Sequence, residues 1–462
     1  MKIYNTLSRK IEDFHSIDDR KVKMYSCGPT VYGYAHIGNF RAFVFADILK
    51  RYLRYRGYRV FHVMNITDVD DKTIKNSMKE GKTLHDFTRF YENAFLEDLK
   101  SLSIDMPDKM PRATEHVVDM LALVGELTRK KHTYRQNGSV YFRISSFKGY
   151  GKLAGLDRQK LRENADGRLV DSDEYEKEDA RDFALWKACS PDDGDIHWES
   201  PIGKGRPGWH IECSAMSMKY LGEHFDIHTG GIDLCFPHHT NEIAQSEAAT
   251  GKKFVNYWLH NEHLIVNGQK MAKSAGNYFT LRDLLDKGHL PRMIRYELLS
   301  AHYRQKLDFR EKDLSEAAAN LQRFDELFAK LDAAKGKGNS AFRKLIDEAR
   351  NGFESAMDND LNTAGALNAL FVFVREINKI VEELSKEEAA QVKAVLLDFD
   401  SVLCVLKQEQ ITVPQDVIDL AEERKQAREK KDWKRSDELR DEIKRKGYMV
   451  DDTKQDYIIK KN

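Results

Sequence analysis

The segment from Lys21 to Thr67 constrains the fold more than any other part of this 462-residue chain. Lys21 to Tyr25 alternates polar and apolar residues as a strand does, and CGPTVYGYAHIGN then brings Gly, Pro and Tyr in loop-like order. Phe45, Ile48, Leu49, Tyr52 and Leu53 recur at i, i+3, i+4, i+7 and i+8, the spacing of one buried helix face. Gly57 stops that helix, and VFHVMNIT reads as a buried strand because it is nearly continuous in apolar residues. Strand, glycine-containing loop, helix and strand make a βαβ unit, which belongs to a parallel sheet.

A second stretch of the same grammar is HFDIHTGGIDLCFPHH, where a short apolar segment runs into Gly230-Gly231 and then toward a helix beginning near Pro237. The polar segment RENADGRLVDSDEYEKEDARD lies between the two, so an insertion is expected to split one α/β domain. From Asp308 onward helical periods replace strand signals. Leu321, Phe324, Phe328 and Leu331 fall on one face, GKGN makes a loop, and helical sequence resumes through Ser385 to Leu406, which predicts a helical bundle. Pro414 marks a further boundary, followed by a densely charged helical stretch with basic residues in excess. At about 100–200 residues per domain, this length implies three or four units.

Several function classes are excluded at this level. The N-terminus has no apolar core of the signal-peptide kind and no eighteen apolar residues run together, so a cytoplasmic protein without membrane contact is expected. Five cysteines are too few, too dispersed and odd in number for a disulfide framework. Formal net charge is zero, so any nucleic-acid binding must use local patches.

Two short motifs carry chemistry. In AHIGNFR, residues 35 to 41, backbone N–H groups at a helix N-terminus favour an anion, Gly38 lets a ligand approach, and His36 and Asn39 can donate to phosphate oxygens. The ordinary alternative is a loop histidine followed by an N-cap asparagine. KMAKS, residues 270 to 274, sets Lys270 and Lys273 in a glycine-flanked loop suited to charge developing on a phosphate, although by itself such a loop is more often a solvated surface turn.

Together, HIGN, KMAKS, NITDVDDK and GGIDL resemble the signatures of the class I aminoacyl-tRNA synthetases. The fuller strings YSCGPTVYGYAHIGN, GKGRPGWHIECSAM, FPHHTNEIAQSE and LRDEIKRKGYMVDDT resemble the cysteinyl-tRNA synthetase family within that class, in the right order from about residue 20 to about 455. The resemblance implies an α/β fold: a Rossmann-like parallel-sheet catalytic domain split by an insertion, then a helical bundle and a small C-terminal anticodon-binding unit. The expected divisions are 1–117 and 181–258 for the catalytic halves, 118–180 for the connective insertion, 259–312 for the KMSKS loop and stem-contact region, 313–408 for the bundle and 409–462 for the terminal unit.

The same resemblance places one Zn²⁺ per chain on Cys27, Cys213, His238 and Glu242, a set that spacing alone does not select. In a helix starting after Pro237, His238 and Glu242 share a face at i and i+4, while His239 points about 100° away and is expected to support the ligands without binding the metal; Glu247 is expected outside the set. By the same likeness Trp209 lies near the bound amino acid, where the bland reading is a core tryptophan. Asp233 faces the ribose, where the bland reading is a turn aspartate. Gly231, Gly38, Lys270, Lys273 and Ser274 complete the ATP-binding residues, with His36, Asn39, Lys270 and Lys273 catalytic. Mg²⁺ is implied with ATP, the implied partners are L-cysteine and tRNA(Cys), and a monomer is expected. Three positions depart from the family motifs: Asn39 replaces the last histidine of HIGH, Ala272 the first serine of KMSKS, and Thr240 a glutamate of HHENE. The expectation is that activity survives them. Competing readings are a ligase joining cysteine to an amino-sugar, a nonenzymatic tRNA-binding paralog, and a purely structural metal.

Overall fold

The computed structural model describes residues 1–156, 182–272, 276–406, 414–452 and 457–461. Four strands form the central sheet, in the spatial order Val255–Asn261, Phe225–Gly231, Lys21–Ser26 and Arg59–Met64. Every pairing in it is parallel, as the βαβ pattern requires. The helix Ile37–Tyr55 crosses between Lys21–Ser26 and Arg59–Met64, and it buries Phe45, Ile48, Leu49, Tyr52 and Leu53, the stripe read from the sequence. It ends at Arg56, immediately before Gly57.

The strand order creates the site. From Lys21–Ser26 the chain steps to one edge of the sheet, and from Phe225–Gly231 it steps to the other. In open parallel sheets the loops leaving the carboxyl ends of two such strands diverge and leave a crevice, which is where ligands bind. Cys27 directly follows one of these strands and Gly231 ends the other. Tyr25, Phe225, Phe254 and Trp258 pack beneath as a core.

Between the sheet's halves lies a four-stranded antiparallel sheet, Thr133–Gln136, Ser139–Phe142, Phe183–Ala188 and Gly205–Pro207. It continues past residue 180, the expected end of the insertion. The polar segment that signalled that insertion lies outside the described residues except for Asp182. A three-stranded sheet of Gln269–Lys270, Leu264–Val266 and Leu307–Phe309 follows. Four helices come next, Asp313–Ala333, Ala341–Asp358, Thr363–Ile380 and Lys386–Leu403. The face of the first is shifted from the expected one: Leu327 is buried with Leu321, Phe324 and Leu331, while Phe328 is only half-buried with Lys393 over its ring.

By compactness residues 1–282 and 291–406 form one unit, so these helices share a body with the sheet. A fully buried Arg295 is one reason. Its guanidinium donates to the carbonyls of Leu403 and Leu102 and pairs with Asp47 of the Ile37–Tyr55 helix. A buried charge with its donors satisfied fixes packing, because removing any partner leaves a desolvated group behind. The second unit holds residues 283–290 and 407–462. Its helices Gln415–Glu429 and Trp433–Arg445 and the antiparallel hairpin Tyr448–Asp452/Tyr457–Lys461 pack around Val417, Ala421, Ile443 and Val450.

Candidate functional site

Four side chains from distant parts of the sequence converge at the crevice. Cys27 leaves a central strand, Cys213 sits in the helix Trp209–Leu221, and His238 and Glu242 flank the start of the helix Thr240–Thr250. Their ligand atoms all lie within 4.8 Å of one another. Cys27 Sγ is 3.9 Å from Cys213 Sγ and 3.9 Å from Glu242 Oε1, and His238 Nε2 is 3.2 Å from Glu242 Oε1. Tetrahedral zinc, with Zn–S near 2.3 Å and Zn–N or Zn–O near 2.0–2.1 Å, holds its ligands about 3.3–3.8 Å apart, so these spacings fit it. Two thiols, an imidazole and a carboxylate also have the donor chemistry that zinc takes. With no cation, burial pushes the Cys27 and Cys213 thiols up and the His238 imidazole down to about 3. A dication reverses that preference for the thiols, since the thiolate is the ligand.

Other histidines surround this set. His228 Nε2 lies 2.9 Å from Glu242 Oε2, and the His228 ring stacks on Trp258. His238 meets His210 through its Nδ1, at 2.9 Å, which leaves Nε2 toward the cluster. His239 does not point away. Its Nε2 is 3.3 Å from Cys27 Sγ and its Nδ1 is 2.8 Å from His260 Nε2, while His260 Nδ1 meets Thr6 Oγ1 at 2.8 Å. The reason is local backbone: Phe236 is extended, residues Cys235–His239 form a wide π-helical turn, and regular helix begins only at Thr240, so the 100° spacing does not apply. Gly230 makes room, because a Cβ there would lie 2.7 Å from the His239 ring. A second grouping of Cys27, His228, His239 and Glu242 is also compact. His228, however, reaches Glu242 through Oε2 and not the Oε1 that faces His238, and His239 links Cys27 to His260, so these histidines read as the groups that orient the ligands. His210, His228 and His260 carry no motif spacing. His228 and His260 show in the sequence only as histidines inside apolar strand segments, and His210 only as the residue after Trp209 in a helix.

Trp209, at 38% exposure, stacks on His238 with ring centroids 4.3 Å apart. It is thus a lid over the cluster and not a core residue.

The HIGN and KMAKS motifs meet each other. His36 is the N-cap of Ile37–Tyr55: its Nδ1 accepts from the Asn39 N–H at 3.2 Å, and its own N–H donates to Asn39 Oδ1 at 3.1 Å. The cap is therefore His36, with Asn39 at the third helical position. A Cβ on Gly38 would lie 3.0 Å from the His36 ring and 3.2 Å from Met271 Cε, so glycine lets the two motifs touch. Ile37 N–H donates to Phe279 O, and Asn277 braces the loop through the Lys270 carbonyl and the Ala272 N–H. Lys270 is exposed at the end of its short strand. Lys273 and Ser274 lie outside the described residues. Gly231 closes its strand, and the exposed Asp233 folds back over it from the next turn.

Sequence profiles of known families match three successive regions. Residues 13–319 match the tRNA synthetases class I (C) catalytic domain, 352–407 the DALR domain and 412–457 the cysteinyl-tRNA ligase anticodon binding domain. The chain is 47% identical to a cysteine–tRNA ligase of Brachyspira hyodysenteriae, over 98% of this chain and 97% of that protein. The chain belongs to the cysteine–tRNA ligase family. A cysteine–tRNA ligase of Protochlamydia amoebophila is 45% identical over 100% of this chain and 98% of its own length.

The class I fold is also shared with solved synthetases at much lower identity. Methionyl-tRNA synthetase of Mycobacterium tuberculosis superposes with a TM-score of 0.59 at 15% identity, covering 84% of this chain and 90% of that one. A leucyl-tRNA synthetase of Agrobacterium radiobacter gives 0.61 at 12% identity, covering 84% of each chain. For a cysteine–tRNA ligase whose Glu242 carboxylate is held by a buried histidine, a specific result is expected. His228→Ala should weaken the binding of added Zn²⁺ about 10- to 100-fold, read by chelator competition, and leave tRNA binding unchanged.

Proposed function

We propose that this chain activates L-cysteine with ATP and transfers it to tRNA(Cys). The observation that carries the reading is the Cys27–Cys213–His238–Glu242 cluster, half-buried at Cys27 and buried at the other three, at the sheet's switch point and with Trp209 stacked on His238. Cysteine and serine differ by one atom, and shape alone separates such substrates by about 1–3 kcal/mol. Zn²⁺ on these four residues would supply a soft Lewis acid that takes a thiolate and not a hydroxyl, and discrimination of about 10⁴ or more could follow without editing.

In the proposed first step a carboxylate oxygen of cysteine attacks the α-phosphorus of ATP and pyrophosphate leaves. In the second, a terminal ribose hydroxyl of tRNA attacks the cysteinyl carbonyl and AMP leaves. No protein nucleophile is needed, since positioning and electrostatic stabilisation suffice. His36 Nε2 and the Asn39 amide are the donors toward phosphate, their other atoms being committed to the helix cap. Lys270 and Lys273 of KMAKS add positive charge, and Ser274 completes the contacts to the nucleotide. Gly38 and Gly231 let the nucleotide approach the backbone, Asp233 accepts from the ribose, and Mg²⁺ accompanies the phosphates. Trp209 covers the amino acid and excludes water from it.

The terminal unit is assigned to the anticodon. Its Trp433 is 57% exposed with the Arg428 guanidinium 5.6 Å from its ring, a surface suited to stacking an unpaired base. The match over 412–457 favours tRNA over an amino-sugar acceptor. A cytoplasmic monomer belongs to the same reading, and no described helix is long and apolar enough to cross a membrane. The test is cysteine-dependent pyrophosphate exchange with and without a zinc chelator, followed by charging of tRNA. Exchange should be lost with chelator and absent with serine; exchange that ignores the chelator, or that serine supports, overturns the reading.

A further inference from the structure

We propose that an exposed aromatic shelf formed by Tyr34, Phe90 and Tyr91 stacks the unpaired nucleotides at the 3′ end of the tRNA; this rests on the ligase reading above. Phe90 is 50% exposed and Tyr34 40%, which is unusual for large rings that could pack inward. The rings are ordered against one another. Tyr34 meets Tyr91 edge-on at 5.3 Å and Phe90 at 6.2 Å, Phe90 meets Tyr91 at 5.1 Å, and the fully buried Phe87 supports Tyr91 from below at 5.0 Å.

Cations border the shelf. The Arg282 guanidinium lies 5.1 Å from the Tyr34 ring and Lys82 Nζ 5.4 Å from the Phe90 ring. Lys72 Nζ, from the helix Asp71–Lys79, lies 5.3 Å from the ring of Tyr32, which precedes Tyr34 by two residues and is itself 39% exposed. Glu97 and Asp98 hold Arg282, and Glu80 holds Lys82, so these charges are fixed beside the rings. Flat rings with adjoining cations are the surface that single-stranded nucleic acid uses, bases on the rings and phosphates on the charges. An apolar protein partner would want a drier rim.

Position selects which nucleotides. Tyr34 stands two residues before His36, separated only by Ala35, so the shelf opens directly off the loop that caps the catalytic helix. The acceptor ribose must reach the cysteinyl group beside that cap, and the unpaired nucleotides preceding it must then lie along the bordering surface. None of the shelf residues belongs to the metal cluster or the helix cap.

The experiment uses the full-length chain with Phe90→Ala and Phe90→Tyr. Pyrophosphate exchange, which needs no tRNA, should stay within about twofold of the unmodified chain for both. In charging, Phe90→Ala should raise KM for tRNA about tenfold, the scale of one lost base–ring stack, and Phe90→Tyr should restore it. Binding of tRNA trimmed of its unpaired 3′ nucleotides gives the second readout. Trimming should cost the unmodified chain about tenfold in affinity and Phe90→Ala little. Normal charging by Phe90→Ala, an unchanged intact-to-trimmed ratio, or a defect confined to KM for ATP each overturns the shelf. Failure of the unmodified chain to charge tRNA at all overturns the ligase reading itself.

Discussion

Cys27→Ser should lower kcat/KM for cysteine in pyrophosphate exchange about 10³- to 10⁴-fold, the loss seen when a site built around one substrate group can no longer hold it. The argument begins with geometry: Cys27 Sγ is 3.9 Å from both Cys213 Sγ and Glu242 Oε1 and 3.3 Å from His239 Nε2, so it is central to the cluster. A serine hydroxyl does not ionise near neutral pH, and it is a harder, shorter donor than thiolate. Zinc content should fall with activity. The melting temperature should move little, because serine keeps nearly the volume of Cys27 at the edge of the core formed by Tyr25, Phe225, Phe254 and Trp258. A purely structural metal predicts the reverse, a large fall in melting temperature with KM for cysteine unchanged. Calorimetry and steady-state kinetics on one variant therefore separate the two readings.

The parallel sheet was legible because its strands and crossover helix carry local periodicity, which follows from burial of one helix face and both strand faces. The face of Asp313–Ala333 was misjudged by one position for the same reason: Leu327 and Phe328 are adjacent apolar residues, and only packing decides which of them turns inward. Cys27 and Cys213 had no spacing signal, being joined only by the order of strands in the sheet, and resemblance alone nominated them. His239 shows the limit of helical-wheel reasoning. The rule that set it aside assumed regular helix from Pro237, whereas a wide turn with one extended residue brings its ring to Cys27. His228 and His260 were invisible because a buried histidine in a strand reads as an interruption of the apolar pattern until its partner is known. Lys270 and His36, in contrast, stand in motifs that are legible as short strings, and the fold brings those motifs together at Gly38 and Met271.

His36→Asn should lower kcat for adenylate formation about 10²- to 10³-fold, the cost of removing one preorganised donor from a developing phosphate charge. The choice of asparagine separates two roles of this residue. As N-cap, His36 accepts from the Asn39 N–H through Nδ1. With Nδ1 accepting, Nε2 is the ring nitrogen that can donate. Asparagine is among the best N-cap residues, so its Oδ1 can take over the bond to Asn39, and stability should change by no more than a few tenths of a kcal/mol. Its side chain is too short to present a donor where Nε2 stood. A variant that melts normally yet forms adenylate slowly therefore assigns His36 to the phosphate, whereas unimpaired kcat reduces it to a cap. Asn39→Asp supplies the complementary case. It keeps an oxygen to accept from the His36 N–H, preserving the capping box, but replaces the Nδ2 donor with negative charge. Repulsion of phosphate should then slow adenylate formation at least as much as His36→Asn does, again without loss of the helix.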